Sequence, residues 1–291
     1  MATSTVAFFI NIFADQNQMP KKRKLTSHRP IGIFDSGIGG LTVANAIQHH
    51  LGQESLIYFG DTAHLPYGDK SPEAIRSYAI RICDFLIESN VKMIVIACNT
   101  ASSIAFETVK KHIGKKALLV NVIDPVVKSV TSSKHHRIGV IGTKATIKSD
   151  VYARKIHQEN KKLEVSSLAT PLLAPMIEEG YFNNKISSTI IGSYLSRPKI
   201  KKIDTLILAC THYPLIRPEI EKYYKKKIDI VDSADIVGRH VKELLAKHGL
   251  LNTKGKAEHR FFVSDYTKSF EKSTRIFFKG KVKLSRKNLW S

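Results

Sequence analysis

Cysteine is scarce in this chain of 291 residues: there are three, Cys83, Cys98 and Cys210, and no two stand in a CxxC spacing. An odd, sparse set of thiols argues against a disulfide framework and fits a reducing, cytoplasmic setting. No apolar run approaches the roughly 18 to 20 residues a membrane helix needs, so no membrane association is expected. An HExxH pair, a GxSxG elbow and a GK[ST] phosphate loop are all missing. Sequence support for a zinc protease, a serine hydrolase or a P-loop nucleotidase is therefore lacking. Acidic residues are few, 25 against 46 Lys and Arg, which leaves a net charge of +21. Apolar material is present in plenty: 43% hydrophobic residues exclude a disordered or collagen-like chain, and the length suits two domains of ordinary size.

The charge is concentrated at the ends. Residues 1–29 hold five basic residues against Asp15 alone, and residues 266–291 hold eight against Glu271 alone. The first segment reads as a poorly ordered basic extension. Its VAFFINIFA stretch has no Lys or Arg before it and no clear small-residue cleavage site, which argues against a signal peptide. PKKRK from Pro20 arises readily by chance in basic chains, and Met19 is an alternative start. Residues 266–291 read as a basic C-terminal tail. A chain this basic is drawn to phosphate polymers whatever its chemistry, with a strong salt dependence, so nucleic-acid association is expected to be incidental.

From residue 30 onward, short apolar runs alternate with amphipathic stretches, the pattern of parallel strands joined by crossover helices in an α/β fold. Strands are expected at 31–34, 55–59, 93–97, 118–122, 137–141, 205–209 and 228–231. Ligands of open parallel sheets bind beyond the carboxyl ends of the strands. Chemistry is therefore expected in the loops that begin at Asp35, Asp61, Cys98, Thr143, Cys210 and Asp232. The sequence also repeats itself: MIVIACNTASS at 93–103 rhymes with LILACTHYPL at 206–215, and RPIGIFDSGIGGLTV from Arg29 more weakly with HRIGVIGTKATIKSDV from His136. Two similar doubly wound parallel-sheet domains, related by a pseudo-twofold axis, would set Cys98 and Cys210 on opposite walls of one cleft. The expected division is 30–121 plus 232–265 for the first domain and 122–231 for the second.

A single cysteine at a strand end is more often a small buried hydrophobe than a catalyst, which is the reading for Cys83 in SYAIRICDFLI. The repetition changes the weighing for the other two. Each precedes a helix start, whose partial positive charge favours thiolate, and each has polar neighbours: Asn99 and Thr100, or Thr211 and His212. Two acid/base groups on opposite faces of a carbon can invert it, one removing a proton while the other delivers one. Asp35 and His212 are natural second members, although Asp35 reads equally well as a helix cap. The glycine-rich DSGIGGLTV fits neither dinucleotide nor Walker templates, and its backbone N–H groups suit the carboxylate of a small substrate. Cys98, Cys210, His212 and Asp35 could all ligate zinc, but their spacing does not support it, and no lysine is singled out for pyridoxal. No metal and no cofactor are expected.

Six ordered motifs resemble the glutamate racemase family: DSGIGGLTV at Asp35, YFGDTAHLPYGDKS at Tyr58, IACNTAS at Ile96, VIGTKATIKSDVY at Val140, LACTHYPLI at Leu208 and VDSA at Val231. The resemblance runs from about residue 30 to 265. It implies a cofactor-independent racemase that interconverts L- and D-glutamate and supplies D-glutamate for peptidoglycan. It makes Cys98 and Cys210 the catalytic thiols, assisted by Asp35 and His212. Substrate contacts fall on Asp35, Ser36, Pro66, Tyr67, Gly68, Asn99, Thr100, Thr211 and His212, and a further acidic position on Glu178 or Glu179. A homodimer is expected, and some members of the family also restrain DNA gyrase. This chain departs from the family pattern at His64, where Arg is common, at Asp124, where Glu is common, and at Thr170, where Cys is common. Aspartate racemases share the two-thiol arrangement and supply the alternative substrate. A basic nucleic-acid-binding protein is the alternative from another class.

Overall fold

A computed structural model describes residues 24–278 and 282–290. VAFFINIFA, Met19 and all but the last residue of PKKRK lie outside those residues. Ten strands are present among them: β1 (Ile31–Asp35), β2 (Leu56–Gly60), β3 (Met93–Ile96), β4 (Leu118–Asn121), β5 (Arg137–Gly142), β6 (Glu164–Ala169), β7 (Thr205–Ala209), β8 (Asp229–Asp232), β9 (His259–Val263) and β10 (Leu284–Arg286). They form a six-stranded sheet in the order β10-β9-β2-β1-β3-β4 and a four-stranded sheet in the order β6-β5-β7-β8. Every pairing is parallel.

Parallel strands are covered by helices on both faces, so their residues are apolar throughout and still divide by the period of two. Ile31, Ile33, Leu56, Tyr58, Met93 and Val95 pack into one core cluster, while Phe34, Ile57, Phe59, Ile94 and Ile96 pack into the other. The second cluster is closed by the helix Pro72–Glu88, which Ser71 caps by accepting a bond from the Ala74 N–H at 3.2 Å. That helix buries Ile75, Ala79, Ile82, Cys83 and Leu86, a stripe at helical spacing, and Cys83 is thus a core residue. On the opposite face the helix Leu41–His50 buries Leu41, Val43, Ala44 and Ile47 and packs against the helix Ser233–Lys247.

The chain leaves the first sheet after β4, builds the second, and comes back at β9. Lys92 helps to hold this return. It is fully buried, and its ammonium donates to Glu54 Oε2, the Ser27 carbonyl and the Leu250 carbonyl. Burial pulls the Lys92 pKa down, and the Glu54 carboxylate opposes that pull. Among the described residues no helix is long and apolar enough to cross a membrane.

The structure corrects the reading of residues 266–291 as a tail. Their described part contains a helix, Lys268–Phe277, and strand β10, which pairs in parallel with β9 through Leu284, Ser285 and Arg286. Phe277, Phe278 and Leu284 are buried in the core. Three apolar anchors spread through a lysine-rich stretch are outnumbered in composition, yet they are enough to bind it to the sheet. Strands β6 and β9 were likewise not among those expected.

Candidate active site

Strand order decides where the site lies. In the larger sheet the chain steps from β1 outward to β2 on one side and to β3 on the other; in the smaller it steps from β5 to β6 and then to β7. The gaps beyond β1/β3 and β5/β7 are the switch points at which open sheets bind ligands. Cys98 follows β3 and Cys210 follows β7, so the repeated Ala-Cys motif marks the same place in both sheets. A pocket of about 200 Å³ lies there, lined by residues from both sheets.

The first wall comes from the larger sheet: Ser36 after β1, Leu65 to Gly68 after β2, and Cys98, Asn99 and Thr100 after β3. The second comes from the smaller: Thr143 after β5, Ala209 to His212 at the end of β7, and Ala174, Pro175 and Glu178 from the helix Leu173–Glu178 and its neighbourhood. Five of the six strand-end loops singled out in the sequence thus meet. The sixth does not: Asp232 caps the helix Ser233–Lys247 by accepting from the Ala234 N–H at 3.1 Å, and it pairs with Arg217.

Cys98 is the N-cap of the helix Asn99–Ile104, and its Sγ accepts from the Ala101 N–H at 3.4 Å. The thiol donates toward Ser36 Oγ at 3.7 Å. Burial, then the nearby Asp35 charge, pushes its pKa up to about 12. Asp35 is fully buried behind the lining at the end of β1. One carboxylate oxygen accepts from the N–H groups of Gly37 (3.2 Å) and Gly40 (3.0 Å), while Oδ1 has no partner among the described residues. Burial raises the Asp35 pKa, against the opposing charge of His212 and the Gly40, Gly37 and Ser36 amides.

On the other wall, His212 Nδ1 lies 3.6 Å from Cys210 Sγ. Its Nε2 lies 2.8 Å from Glu178 Oε1, close enough for an ion pair although not aligned for a hydrogen bond. Burial pulls the imidazole pKa down, but its contacts with Cys210 and Glu178 outweigh that and hold it well above the usual histidine value. Glu178, not Glu179, is therefore the acidic residue of the pair that reaches the site; Glu179 is exposed.

The pocket's polar lining is held from behind. Asn99 Oδ1 accepts from Tyr152 OH at 2.7 Å, which leaves the Asn99 amide nitrogen buried and without a partner among the described residues. Thr100 Oγ1 lies 2.9 Å from Thr143 Oγ1, a hydroxyl contact between the two walls. Tyr67 OH donates to Asp61 Oδ2 at 2.7 Å, and the same carboxylate receives Ser264 Oγ and His64. His64 thus acts one layer behind the lining, stacked on Tyr78 with centroids 4.1 Å apart. Thr170 is also behind it, sharing its hydroxyl with Tyr213 OH at 2.7 Å, and Asp124 pairs with Lys155 at 2.8 Å. Sequence reasoning named neither Tyr152 nor Tyr213; their contacts span 43 residues or more and leave no local pattern. Among the described residues no group of three His, Cys, Asp or Glu side chains is arranged to hold a metal ion.

Known proteins carry the same organisation. The family model for Asp/Glu/hydantoin racemases matches residues 41–241. Glutamate racemase of Chlorobaculum parvum is 45% identical over 258 residues, covering 88% of this chain and 94% of the relative. The crystal structure of glutamate racemase from Francisella tularensis in complex with D-glutamate superposes with a TM-score of 0.85 at 39% identity, covering 91% of this chain and 99% of that one. Glutamate racemase from Thermus thermophilus in complex with β-chloro-D-alanine gives 0.82 at 33% identity, over 91% and 98%. Both the two-sheet architecture and nearly the full length are shared with enzymes of one kind, and the chain belongs to the Asp/Glu/hydantoin racemase family.

Proposed function

We propose that this chain interconverts L- and D-glutamate by proton transfer between two cysteines, with the two sheets as the cores of two domains. The observation that carries this reading is the pocket itself: Cys98 and Cys210 line it from different sheets, each with its own acid/base neighbour. In one direction Cys210, as thiolate beside the imidazolium of His212, takes the α-proton. The electron pair left on the α-carbon is delocalised into the adjacent carboxylate, and the Cys98 thiol delivers a proton to the opposite face. The turnover ends with Cys210 as thiol and Cys98 as thiolate, which is the state the reverse direction requires. Asp35 stands behind Cys98 as its proton partner. Positioned acid/base groups of this kind contribute about 10²- to 10⁴-fold each. The Ser36, Asn99, Thr100 and Thr211 polar groups hold the substrate carboxylates and ammonium, and the unpartnered Asn99 amide is a ready donor to a carboxylate.

Glutamate is preferred over aspartate because the relatives of highest identity described above act on glutamate by name. D-glutamate made in this way would serve peptidoglycan synthesis in the cytoplasm, as the resemblance implies. The test is proton NMR of the purified chain with L-glutamate in D2O, with a chiral assay of the product. Loss of the α-proton signal with formation of D-glutamate is the expected result. No exchange with glutamate, but exchange with aspartate, would move the substrate one carbon shorter; exchange with neither would remove the racemase reading.

A further inference from the structure

A histidine that works beside a thiol must be held in plane as well as at the right distance. Rotation about the imidazole's terminal torsion is broad, and the two contacts at the His212 nitrogens, one a 3.6 Å approach to sulfur and the other not aligned as a hydrogen bond, set the ring plane only loosely. Cys210 and Glu178 supply those two contacts. The third is apolar and comes from far along the chain. The ring of Phe277 lies 5.5 Å from that of His212 at an interplanar angle of 83°, an edge-to-face arrangement. Phe277 is the last residue of the helix Lys268–Phe277, is only 4% exposed, and is not part of the pocket lining. Its position is set by the larger sheet: the helix rests against Leu41–His50, and the following Phe278 packs on Phe261 of β9 with centroids 5.2 Å apart.

We propose that Phe277 is a positioning residue for His212, by which the C-terminal segment anchored on one sheet fixes the acid/base group carried by the other. The inference rests on the two-cysteine reading. It states that loss of the Phe277 ring impairs proton transfer at Cys210 while leaving transfer at Cys98 as it was. Because the α-deuterium of the substrate is removed by only one of the two cysteines in each direction, isotope effects separate the two sides.

The experiment measures kcat/KM for α-protio and α-deuterio L- and D-glutamate in the full chain and in Phe277→Ala. A fall in kcat/KM of roughly 10- to 100-fold is expected, the range that misplacement of a catalytic group produces. The α-deuterium effect should rise for the enantiomer that Cys210 deprotonates and fall for the other, whose turnover becomes limited instead by delivery of a solvent-derived proton. A fall in rate with both isotope effects at wild-type values would show a merely structural residue and overturn the proposal. Phe277→Leu keeps a large apolar group in the same place, and it is measured in parallel so that a poorly folded alanine variant does not decide the question. It should show the same asymmetry to a smaller degree, and wild-type isotope effects in a folded leucine variant would overturn the proposal equally. A wild-type chain that exchanges no α-proton of glutamate overturns the underlying reading, whereas an active wild type with unaltered isotope effects in the variants overturns this inference alone.

Discussion

At the scale of single residues, the pocket concentrates groups that are each costly to bury: a carboxylate, two thiols and an imidazole. Their protonation states follow from their neighbours. Cys98, pushed up to about 12 by burial and by Asp35, is a thiol in the free enzyme, which suits it to deliver a proton first. Replacing either Cys98 or Cys210 by Ala removes one of two obligatory proton carriers, so racemisation should fall to background in a chiral assay. The melting temperature should stay within a few degrees, because each substitution removes a single sulfur atom from a side chain that lines the pocket. Near-normal turnover in either variant would end the two-base mechanism. Glu178→Gln makes a subtler test. Two contacts hold the His212 pKa up, and removing the Glu178 charge lowers it, so the alkaline limb of kcat/KM should move to lower pH. The stability counterpart has a defined sign. A raised histidine pKa stabilises the fold fully below the ordinary value of about 6.5, and that stability is lost as pH rises through the folded value. Denaturant titrations should therefore show the wild type losing more stability than Glu178→Gln on going from acid to mildly alkaline solution.

At the scale of elements, the loop after β1 shows why glycine is placed where it is. A Cβ built on Gly39 would lie 2.5 Å from His212 Cε1, 2.6 Å from Nδ1 and 2.7 Å from Thr211 Oγ1. This loop of the larger sheet thus touches the site loop of the smaller one, and Thr42 Oγ1 bonds the Thr211 carbonyl at 3.2 Å beside it. Gly39→Ala must displace an imidazole that is already enclosed by Cys210, Glu178 and Phe277. It should cost about 10²-fold in kcat/KM while far-ultraviolet circular dichroism stays unchanged. Elements of this kind were legible in the sequence because the two Ala-Cys loops repeat after buried apolar runs such as MIVI and LILA. Other elements left weaker marks. Strand β6, EVSSLA, is a half-buried edge strand with two serines; β10 has three residues; and β9, HRFFV, stands next to lysine-rich segments. Glu178 and Phe277 could not be assigned their contacts, because nothing local to a residue tells which distant loop it will meet. The C-terminal elements also carry a stability prediction. Phe277, Phe278 and Leu284 are buried, and each such side chain contributes roughly 1.5–3 kcal/mol, so together they approach the whole stability of an ordinary domain, about 5–15 kcal/mol. A chain truncated after residue 265 should lose its cooperative thermal transition in calorimetry, and a melt like that of the full chain would show these contacts to be dispensable.

At the scale of the whole molecule, a net charge of +21 and a site for a small anion have to be reconciled. The pocket, about 200 Å³ and walled by two sheets, has room for an amino acid and none for a polymer. A phosphate chain can therefore meet only the outer surface. Among the described residues the lysines and arginines there are spread over both sheets' helices and the C-terminal segment, without any cluster of aromatic side chains exposed for base stacking. Binding of this kind is counterion release, so it should be indifferent to sequence and fall by orders of magnitude between roughly 50 and 200 mM salt. Fluorescence anisotropy with two unrelated DNA duplexes, measured across that range, should give the same steep salt slope for both. Racemisation at saturating glutamate should be unaffected by either duplex, since the polymer and the substrate occupy different places. A duplex that binds in a sequence-dependent, salt-resistant way, or that slows turnover at saturating substrate, would show that the basic surface reads nucleic acid and communicates with the cleft.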